Sequence, residues 1–280
     1  MDQDKRLHRS KPLPMRLSMR SACPYITGKT EQRIAVDIDF QPSVHDSLAR
    51  AGFRRVENWA YKPACPNCQA CLPWRVDVRQ FRPSRNMTRI SSTNGDLTRS
   101  ICEARPTSQH YQLRQFRPSR NMTRIISTNG NLARSICDTR PTSQHYQLFK
   151  SYVTNRHDDG QMARMGSDDF TSMISNSPIE TMLIDYHDQN QQLVGSVLAD
   201  MQQDGLSAVY SFFDPAESRR SLGTYMIIDL IRCAAELDLP WLYLGYYVAQ
   251  SQKMRYKARF QPAEVFRDGA WHVFDESADT

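Results

Sequence analysis

The stretch LSAVYSFFDPAESRRSLGTYMIIDLIRCAAELDLPWLYLGYYV, residues 206–248, decides the fold. Its apolar pattern predicts a strand over Leu206–Phe213 and a helix over Ser221–Leu237, followed by a buried strand over Trp241–Val248. A strand that leads through a helix into another strand makes a right-handed crossover. We therefore expect the last strand to lie beside the first of these two in one mixed sheet.

Two more strands are predicted immediately before this stretch. They cover Met182–His187 and Leu193–Asp200, and Asp204-Gly205 is a turn signal between the second of them and the strand that follows. The element order is therefore β-β-β-α-β. This order predicts an α+β protein whose C-terminal domain carries a mixed β-sheet.

The N-terminal part of the chain reads as a smaller α+β unit. Apolar residues alternate over 34–40, which is the period of a strand, and a second strand is predicted over 74–78. Residues 43–46, SVHD, resemble a capping box that opens a short helix, and Gly52 stops it. Near the other end of the chain, Asp268-Gly269 marks a hairpin turn.

The composition is that of a globular protein. The 280 residues are 40% hydrophobic and 24% charged, and apolar runs such as 241–244 are far shorter than the roughly 20 residues of a membrane-spanning helix. The polar N-terminus lacks the apolar core of a secretory signal, so we expect a cytoplasmic protein that makes no use of a membrane. Its seven cysteines are then expected to be reduced thiols or metal ligands.

A 35-residue segment occurs twice, at 79–113 and 114–148, with 30 identical positions. Each copy has six arginines, and the two copies together carry more positive charge than the net +6 of the whole chain. This predicts a local surface that attracts polyanions. Two near-identical units are typical of a tandem duplication and not of a solenoid. We expect one copy to take a regular place between an N-terminal domain (1–78) and a C-terminal domain (149–280), and the other to be a more mobile addition.

The loop before the long helix is a candidate anion site. The first turn of a helix offers unpaired N–H groups that can hold a phosphate or an oxyanion. The loop resembles the coenzyme A pyrophosphate loop of the GNAT acetyltransferases, except that Tyr225 stands where that pattern has Gly or Ala, and we expect its ring to obstruct a pyrophosphate. The alternative is an ordinary polar loop with a serine N-cap. The candidate residues are Arg219, Arg220, Ser221, Leu222, Gly223 and Thr224.

Three closely spaced cysteines form a candidate metal site. Cys65, Cys68 and Cys71 lie within seven residues, and Cys23 would complete a four-thiolate site for zinc or an iron–sulfur cluster. The alternative is a group of reduced, partly buried thiols. The other cysteines, Cys102, Cys137 and Cys233, are interpreted as small packing residues.

A third group of polar residues follows the last strand of the mixed sheet. Tyrosine can relay a proton, and lysine or arginine can bind a carboxylate. The alternative is an amphipathic surface helix with solvated lysines. The candidates are Tyr246, Tyr247, Ser251, Lys253, Arg255, Tyr256 and Lys257.

Several of these motifs resemble, in the same order along the chain, those of the bacterial arginyltransferase-like family, and in particular its aspartate/glutamate leucyltransferases. The resemblance is carried by CPY (23–25), GFRR (52–55), PACPNCQACLP (63–73), DGLSAVY (204–210), RSLGTY (220–225) and KMRYK (253–257). It covers nearly the whole chain. The duplicated segment is a departure, because the family pattern has a single copy.

The resemblance implies an N-terminal domain with the cysteine motif and a GNAT-like C-terminal domain. It further implies transfer of an amino acid, leucine in the closest group and arginine in eukaryotic relatives, from aminoacyl-tRNA to the α-amine of proteins that begin with Asp or Glu. Such a modification marks those proteins for degradation. Iron–sulfur ligation by the cysteines has been proposed in the wider family, although acyl transfer from an activated ester requires no cofactor.

On this hypothesis each candidate group has a role. The loop 219–224 holds the acyl carbonyl or a tRNA phosphate, with Ser221 at the reacting ester, and Tyr246 or Tyr247 relays a proton. Cationic residues of the segment 251–257 bind the acceptor carboxylate, and the arginine-rich segment contacts tRNA. The alternatives are an arginyl donor, a coenzyme A-dependent acetyltransferase, an RNA-binding module, or an enzyme that the duplication has inactivated.

Overall fold

A mixed sheet of eight strands dominates the computed structural model, which describes residues 13–39, 41–104, 141–156 and 161–278. The described neighbours pair antiparallel except β11 and β12, which are parallel. In spatial order the strands are β14 (Ala270–Val273), β13 (Ala263–Arg267), β7 (Leu72–Asp77), β12 (Trp241–Tyr247), β11 (Gly205–Phe213), β10 (Leu193–Met201), β9 (Thr181–His187) and β8 (Thr98–Ala104).

The predicted β-β-β-α-β order is confirmed. Strands β9, β10 and β11 form the meander, a helix follows at Leu222–Glu236, and β12 returns beside β11. The turn at Asp268-Gly269 is also present, between β13 and β14. These elements were predictable because each is buried on at least one face, and burial imposes the apolar period that the sequence displays.

Helices cover both faces of the large sheet. The described helices are α1 (His45–Arg50), α2 (Arg85–Thr93), α3 (Ser143–Arg156), α4 (Ser167–Ser175) and α5 (Leu222–Glu236). Successive residues of β9 point to opposite faces. Ile184 joins the apolar cluster under α2 and α5, whereas Leu183 joins the one under α3 and α4.

A smaller sheet holds most of the N-terminal strands. Its strand order is β1 (Met15–Leu17), β4 (Arg33–Asp37), β6 (Trp59–Pro63) and β5 (Arg54–Val56), and a separate hairpin pairs β2 (Ser21–Ala22) with β3 (Thr30–Glu31). The predicted strand over 34–40 corresponds to β4, and its last residue, Phe40, lies outside the described residues. The strand predicted from Trp74 is β7, which lies in the large sheet between β12 and β13. The predicted boundary at residue 78 stays a prediction.

The capping box predicted at 43–46 is wrong. A 3₁₀ turn over Pro42–Val44 precedes α1, and no side chain caps the helix. The carboxylate of Asp46 instead accepts a hydrogen bond from the backbone N–H of Gln203, at 3.1 Å. A tertiary contact has therefore taken the side chain that the local pattern assigned to the cap.

A buried ion pair fastens the small sheet to the large one. Arg55 of β5 donates from Nη2 to Asp200 Oδ1 (2.6 Å) and from Nε to Oδ2 (2.8 Å), and both side chains are 1% exposed. Thr181 donates to the same carboxylate at 3.0 Å. Because removing one partner would leave a buried charge uncompensated, this pair fixes β5 on the sheet.

The two repeat copies share one structural place. Residues 79–104, which include α2 and β8, belong to the first copy, and residues 141–148, which begin α3, belong to the second. Residues 105–140 lie outside the described part of the chain, so the expected mobility of one copy stays a prediction. The first part of one copy and the last part of the other thus follow each other in the same order as within a single 35-residue segment.

Within the described residues, no helix has the length and apolar character needed to cross a bilayer. The cytoplasmic location stays a prediction.

Deletion of residues 105–139 tests the composite arrangement. It removes one repeat length and joins Ala104 to Arg140, which restores the sequence around Ala104-Arg105 and keeps α2, β8 and α3. We expect a folded protein that is more stable by up to about 2 kcal/mol, because a shorter connection costs less closure entropy. Thermal and urea unfolding would measure this, and an unfolded or strongly destabilised variant would contradict the arrangement.

Candidate functional site

The candidate site lies where the two parallel strands of the large sheet separate. β11 and β12 pair only from Gly205–Trp241 to Ser207–Tyr243. Beyond these pairs the strands diverge, and the register of β12 against β7 also shifts between Tyr243 and Gly245. Gaps of this kind, at the carboxyl ends of parallel strands beside a crossover helix, are preferred ligand sites in α/β sheets.

Arg54 of the small sheet enters this gap. Its Nη2 donates to the carbonyl oxygens of Ala208 (2.7 Å) and Val209 (3.1 Å), on the part of β11 that has no pairing with β12. The guanidinium thus supplies donors that a neighbouring strand would otherwise supply. No acidic side chain in the described parts of the chain forms an ion pair with it.

Gly245 makes room for this arginine. It adopts φ +80°, and a Cβ atom at this position would overlap the Arg54 guanidinium. Glycine therefore suits this position for its backbone conformation, and any larger residue would also force the Arg54 guanidinium to move. A lone glycine inside an apolar strand was the sequence signal for such an approach.

Tyr246 joins β12 to the small sheet. Its hydroxyl donates to the carbonyl oxygen of Tyr61 (3.1 Å) or of Gly52 (3.2 Å), and the side chain is almost fully buried. Burial raises the pKa of Tyr246, and the neighbouring Tyr61 acts in the same direction. The phenol therefore keeps its proton and acts as a hydrogen-bond donor at neutral pH.

Lys257 lies directly against Tyr246. It belongs to a 3₁₀ turn over Arg255–Arg259 and is 4% exposed, and its Nζ donates to the carbonyl oxygen of Tyr246 at 2.6 Å. Burial lowers the pKa of Lys257 to about 7, and Arg54 acts in the same direction while Cys71 opposes them. Among the described residues no carboxylate pairs with this amine.

The candidate metal-binding cysteines lie near the same tyrosine. All four are reduced and partly exposed. Three of them line a pocket whose other walls include Tyr25, Glu31, Gln32, Arg33, Tyr61, Pro63 and Tyr246; they are Cys23, Cys65 and Cys71. Burial, followed by the neighbouring thiols, raises the pKa of Cys71 to about 12. In the described ranges, no three His, Cys, Asp or Glu side chains have the arrangement of a metal site.

The remaining cysteines are only partly described. Cys233 is buried and its Sγ accepts a hydrogen bond from Arg99 at 2.7 Å, in agreement with a packing role. The side chain of Cys102 and the whole of Cys137 lie outside the described residues.

The predicted anion loop lies at the carboxyl end of β11. Ser221 is exposed, has a left-handed backbone conformation (φ 51°) and makes no capping hydrogen bond with its side chain. Leu222 is a core residue, and the Gly223 backbone lies against the ring of Phe213. Thr224 donates its backbone N–H to the carbonyl oxygen of Ser221. At this helix start the side chain of Ser221 is therefore exposed, that of Thr224 is partly exposed and that of Leu222 is buried.

The two arginines of this loop differ. Arg220 forms a bidentate pair with Asp96 (2.7 and 2.9 Å) and also binds Glu217 (2.8 Å). Hydrogen bonding to Asp96 is the main cause that raises the pKa of Arg220. Arg219 is exposed and, in the part of the chain that the structure describes, forms no ion pair. Arg219 is thus the more available cation.

Tyr225 and Tyr247 belong to the core. Tyr225 packs its ring edge against Tyr186, with 5.8 Å between ring centroids, so it does not lie across the loop as we expected from its size. Tyr247 contacts Trp74 and Phe274 on the face of β12 opposite to Tyr246.

The predicted acceptor residues divide between surface and interior. Lys253 and Arg255 are exposed, and Tyr256 is 39% exposed. Ser251 is buried, and its carbonyl oxygen accepts the N–H groups of Met254 and Arg255 in the turn. The structure thus brings Tyr246, Lys257 and the cysteine pocket together. It adds Arg54, which belongs to the GFRR motif (52–55) but had no predicted role, and Gly245.

Two family models match the chain. "Arginine-tRNA-protein transferase, N terminus" matches residues 21–89, and "Arginine-tRNA-protein transferase, C terminus" matches residues 144–267. The interval between the two matches contains most of the duplicated segment.

Curated relatives match over most of the chain. A protein of Paramagnetospirillum magneticum named aspartate/glutamate leucyltransferase is 40% identical over 254 residues, which is 90% of this chain and 90% of the relative. A protein of the same name from Gluconacetobacter diazotrophicus is 39% identical over 90% of this chain and 85% of the relative. One from Granulibacter bethesdensis is 36% identical over 92% and 84%.

Substitution of Gly245 by alanine tests the packing of Arg54. The matched control is Gly269→Ala, because Gly269 has nearly the same φ (+81°) but no atom within 4 Å of a Cβ. We expect the control to lose about 1 kcal/mol from backbone strain alone, and Gly245→Ala to lose at least about 1 kcal/mol more, because it also displaces the guanidinium. Urea unfolding of both variants measures the difference, and equal losses would refute the contact.

The pH dependence of stability tests the burial of Lys257. Its pKa is about 7 when folded and 10.5 in the reference state, so the unfolded chain binds more protons between these values. Stability therefore rises with pH in this window, while the full cost of burying the charge is present below pH 7. We expect the stability of Lys257→Met relative to wild type to be greatest at about pH 6 and to decline towards about pH 10. A difference that does not change with pH would contradict this assignment.

Proposed function

Because this chain belongs to the arginine-tRNA-protein transferase family, we propose that it transfers leucine from Leu-tRNA to the α-amine of proteins whose first residue is Asp or Glu. The observation that carries the proposal is the similarity to proteins named aspartate/glutamate leucyltransferase over about 90% of the chain. Both family halves are matched, and the large mixed sheet supplies an open gap between parallel strands beside a helix start.

The proposed reaction depends more on positioning the donor ester and the acceptor amine than on activating either of them. The neutral α-amine attacks the ester carbonyl carbon of the aminoacyl-tRNA, so a C–N bond forms and the bond from that carbon to the ribose oxygen breaks. The ammonium gives up one proton before attack and a second as the amide forms, and the ribose oxygen takes one. An α-amine titrates near 8, so deprotonation at neutral pH is a small task, and the larger contributions come from orientation and oxyanion stabilisation.

The loop before α5 is suited to hold the donor. Its exposed Ser221 and the first N–H groups of the helix lie at the carboxyl end of β11, where an oxyanion or the terminal tRNA phosphate would meet a positive dipole. Tyr246 is assigned as the proton relay; its one hydroxyl proton is donated to the backbone of Tyr61 or Gly52, so a relay requires that hydrogen bond to exchange for one with the substrate. Tyr247 receives no role, because it lies in the core.

An arginine-rich surface adjoins this loop. Asn94, which follows α2, donates to the carbonyl oxygen of Arg220 at 2.8 Å, and Asp96 binds its guanidinium, so the first copy is docked beside the loop. Its exposed cations, together with Arg219, are the proposed tRNA contacts: Arg79, Arg82, Arg85 and Arg89. Arg99 of the same copy is excluded, because it is buried beside Asp229.

The cysteines take no part in the proposed transfer. If a zinc ion or an iron–sulfur cluster binds, Cys23, Cys65, Cys68 and Cys71 are the ligands that the sequence offers, and three of them already face one pocket. The described thiols are not arranged as a ligand set, and the raised pKa of Cys71 keeps that thiol neutral without a metal. Metal analysis of the purified protein and of a Cys68→Ser variant tests this part separately.

Transfer assays with charged tRNA test the proposal. Labelled leucine and labelled arginine are offered in parallel to matched peptides that begin with Asp, Glu, Asn, Gln, Lys or Ala. We expect leucine to be incorporated into the Asp and Glu peptides only. Incorporation of arginine instead of leucine would show that the donor is Arg-tRNA. No incorporation by folded protein would favour an RNA-binding role or an enzyme inactivated by the duplication. Acetyl-CoA turnover in the same preparation would instead favour an acetyltransferase.

A further inference from the structure

The position of α2 and β8 is built by parts of the chain that lie outside the duplication. Asn94 donates to the carbonyl oxygen of Arg220 at 2.8 Å, and Arg99 donates to Asp229 at 3.0 Å. Both partners belong to α5 or to the turn before it, and β8 pairs with β9. The first copy is therefore held on a framework that would bind any segment with the same side chains.

The second copy has the side chains that this framework binds. Every buried residue in the described part of the first copy, 79–101, recurs without change 35 positions later. In the first copy these residues are Phe81, Met87, Ile90, Asn94 and Arg99, and in the second they are Phe116, Met122, Ile125, Asn129 and Arg134. The buried contacts therefore give neither copy an advantage.

The copies differ at five positions, and the two differences at buried contacts act in opposite directions. Asp96 makes two hydrogen bonds to Arg220, and the second copy has Asn131 at this position, so the ion pair favours the first copy. The hydroxyl of Ser91 is buried without a hydrogen-bond partner among the described residues, and the second copy has Ile126 there, which removes this cost. The other differences are at 98, which is exposed, and at 103 and 104, whose side chains lie outside the described residues.

The connections required by the two copies have nearly equal lengths. With the first copy in place, residues 105–140 connect β8 to the segment that begins α3. With the second copy in place, 35 residues would be inserted before α2 instead. Closure entropy depends on the logarithm of length, so the two connections cost almost the same. Because residues 79–90 and 114–125 are identical, the change from one copy to the other can lie anywhere before Ser91.

We propose that either copy of the duplicated segment occupies the position of α2 and β8, so that the protein has two folded forms. In the first-copy form Asp96 lies beside Arg220, as described above. In the second-copy form Asn131 takes this place, and Glu217 is the acidic partner that Arg220 keeps. The exchange is a property of the fold, whereas its effect on the donor site rests on the proposed function.

The two forms differ little in their basic surface. The exposed arginines 79, 82, 85 and 89 are replaced one for one by arginines 114, 117, 120 and 124. One negative charge beside the loop before α5 is therefore the main electrostatic difference. A partly exposed ion pair and a buried hydroxyl each change a population by about tenfold. Since they oppose each other, we expect populations within about 30-fold of each other, which corresponds to about 2 kcal/mol.

Equivalent substitutions in the two copies test the exchange. Ile90→Asp places a charge in the core contact of the first copy, and Ile125→Asp does the same in the second. We expect the double variant to lower the melting temperature by about 10 °C or more, and each single variant to lower it by less than half as much, because the other copy takes the position. The control is Ile90→Asp in the chain that lacks 105–139, where the full loss should appear.

Other outcomes overturn the exchange. A full loss with Ile90→Asp alone and none with Ile125→Asp would assign the position to the first copy only. Single variants that are stable only as dimers, by size-exclusion chromatography over a range of concentrations, would place the second copy on a neighbouring chain. A double variant as stable as wild type would show that neither copy is needed there. If the double variant does not fold, the single variants and the control still decide.

The same variants separate the two forms for binding measurements with Leu-tRNA. Ile125→Asp holds the first-copy form, and Ile90→Asp holds the second-copy form. We expect the second-copy form to bind about two- to fivefold more tightly at low salt, because it lacks one carboxylate beside the loop. Asp96→Asn in the Ile125→Asp chain is the matched control and should reproduce the gain.

The binding and stability results fail separately. Equal affinities of the two forms would refute the effect on the donor site. If Leu-tRNA does not bind to either form, the proposed function fails, while the melting temperatures, which need no substrate, still decide whether the copies exchange.

Discussion

The site depends on two parallel strands that stop pairing after three residue pairs. A buried carbonyl group needs a donor, and where β12 leaves β11 the donor for Ala208 and Val209 is the guanidinium of Arg54. The arginine in turn needs Gly245, because any side chain there would occupy its place. The gap is therefore a joint product of both halves of the chain: the small sheet supplies the hydrogen bonds and the large sheet supplies the space.

Neighbouring arginines of β5 show how one strand can serve structure and function. Successive side chains of a strand point in opposite directions, so Arg55 meets Asp200 in the core while Arg54 enters the gap. The first charge is fully compensated and fixes the strand. The second has no ion-pair partner among the described residues, and its position in the gap depends on the first, which anchors β5 to the large sheet.

Apolar periodicity predicted the meander, the crossover helix and β12. Burial of these elements requires an apolar residue at every second position of a strand, or at every third to fourth position of a helix. Features that depend on contacts between distant residues were not predictable in this way. At 43–46 the local capping pattern failed, since Asp46 binds the backbone of Gln203. The role of Arg54 likewise depends on Ala208 and Gly245, which no local period connects to it.

The two copies of the duplicated segment differ in the charge that they would place beside the loop before α5. At the position where the segment contacts the loop before α5, the first copy has Asp96 and the second has Asn131. Asp96, together with Glu217, neutralises Arg220, so Arg219 is the loop cation that stays available at the start of the helix. An asparagine in that place has no charge to offer the guanidinium, and Arg220 would keep Glu217 alone. Which copy is docked therefore sets the charge beside the proposed donor site, even though the two copies are nearly identical in sequence.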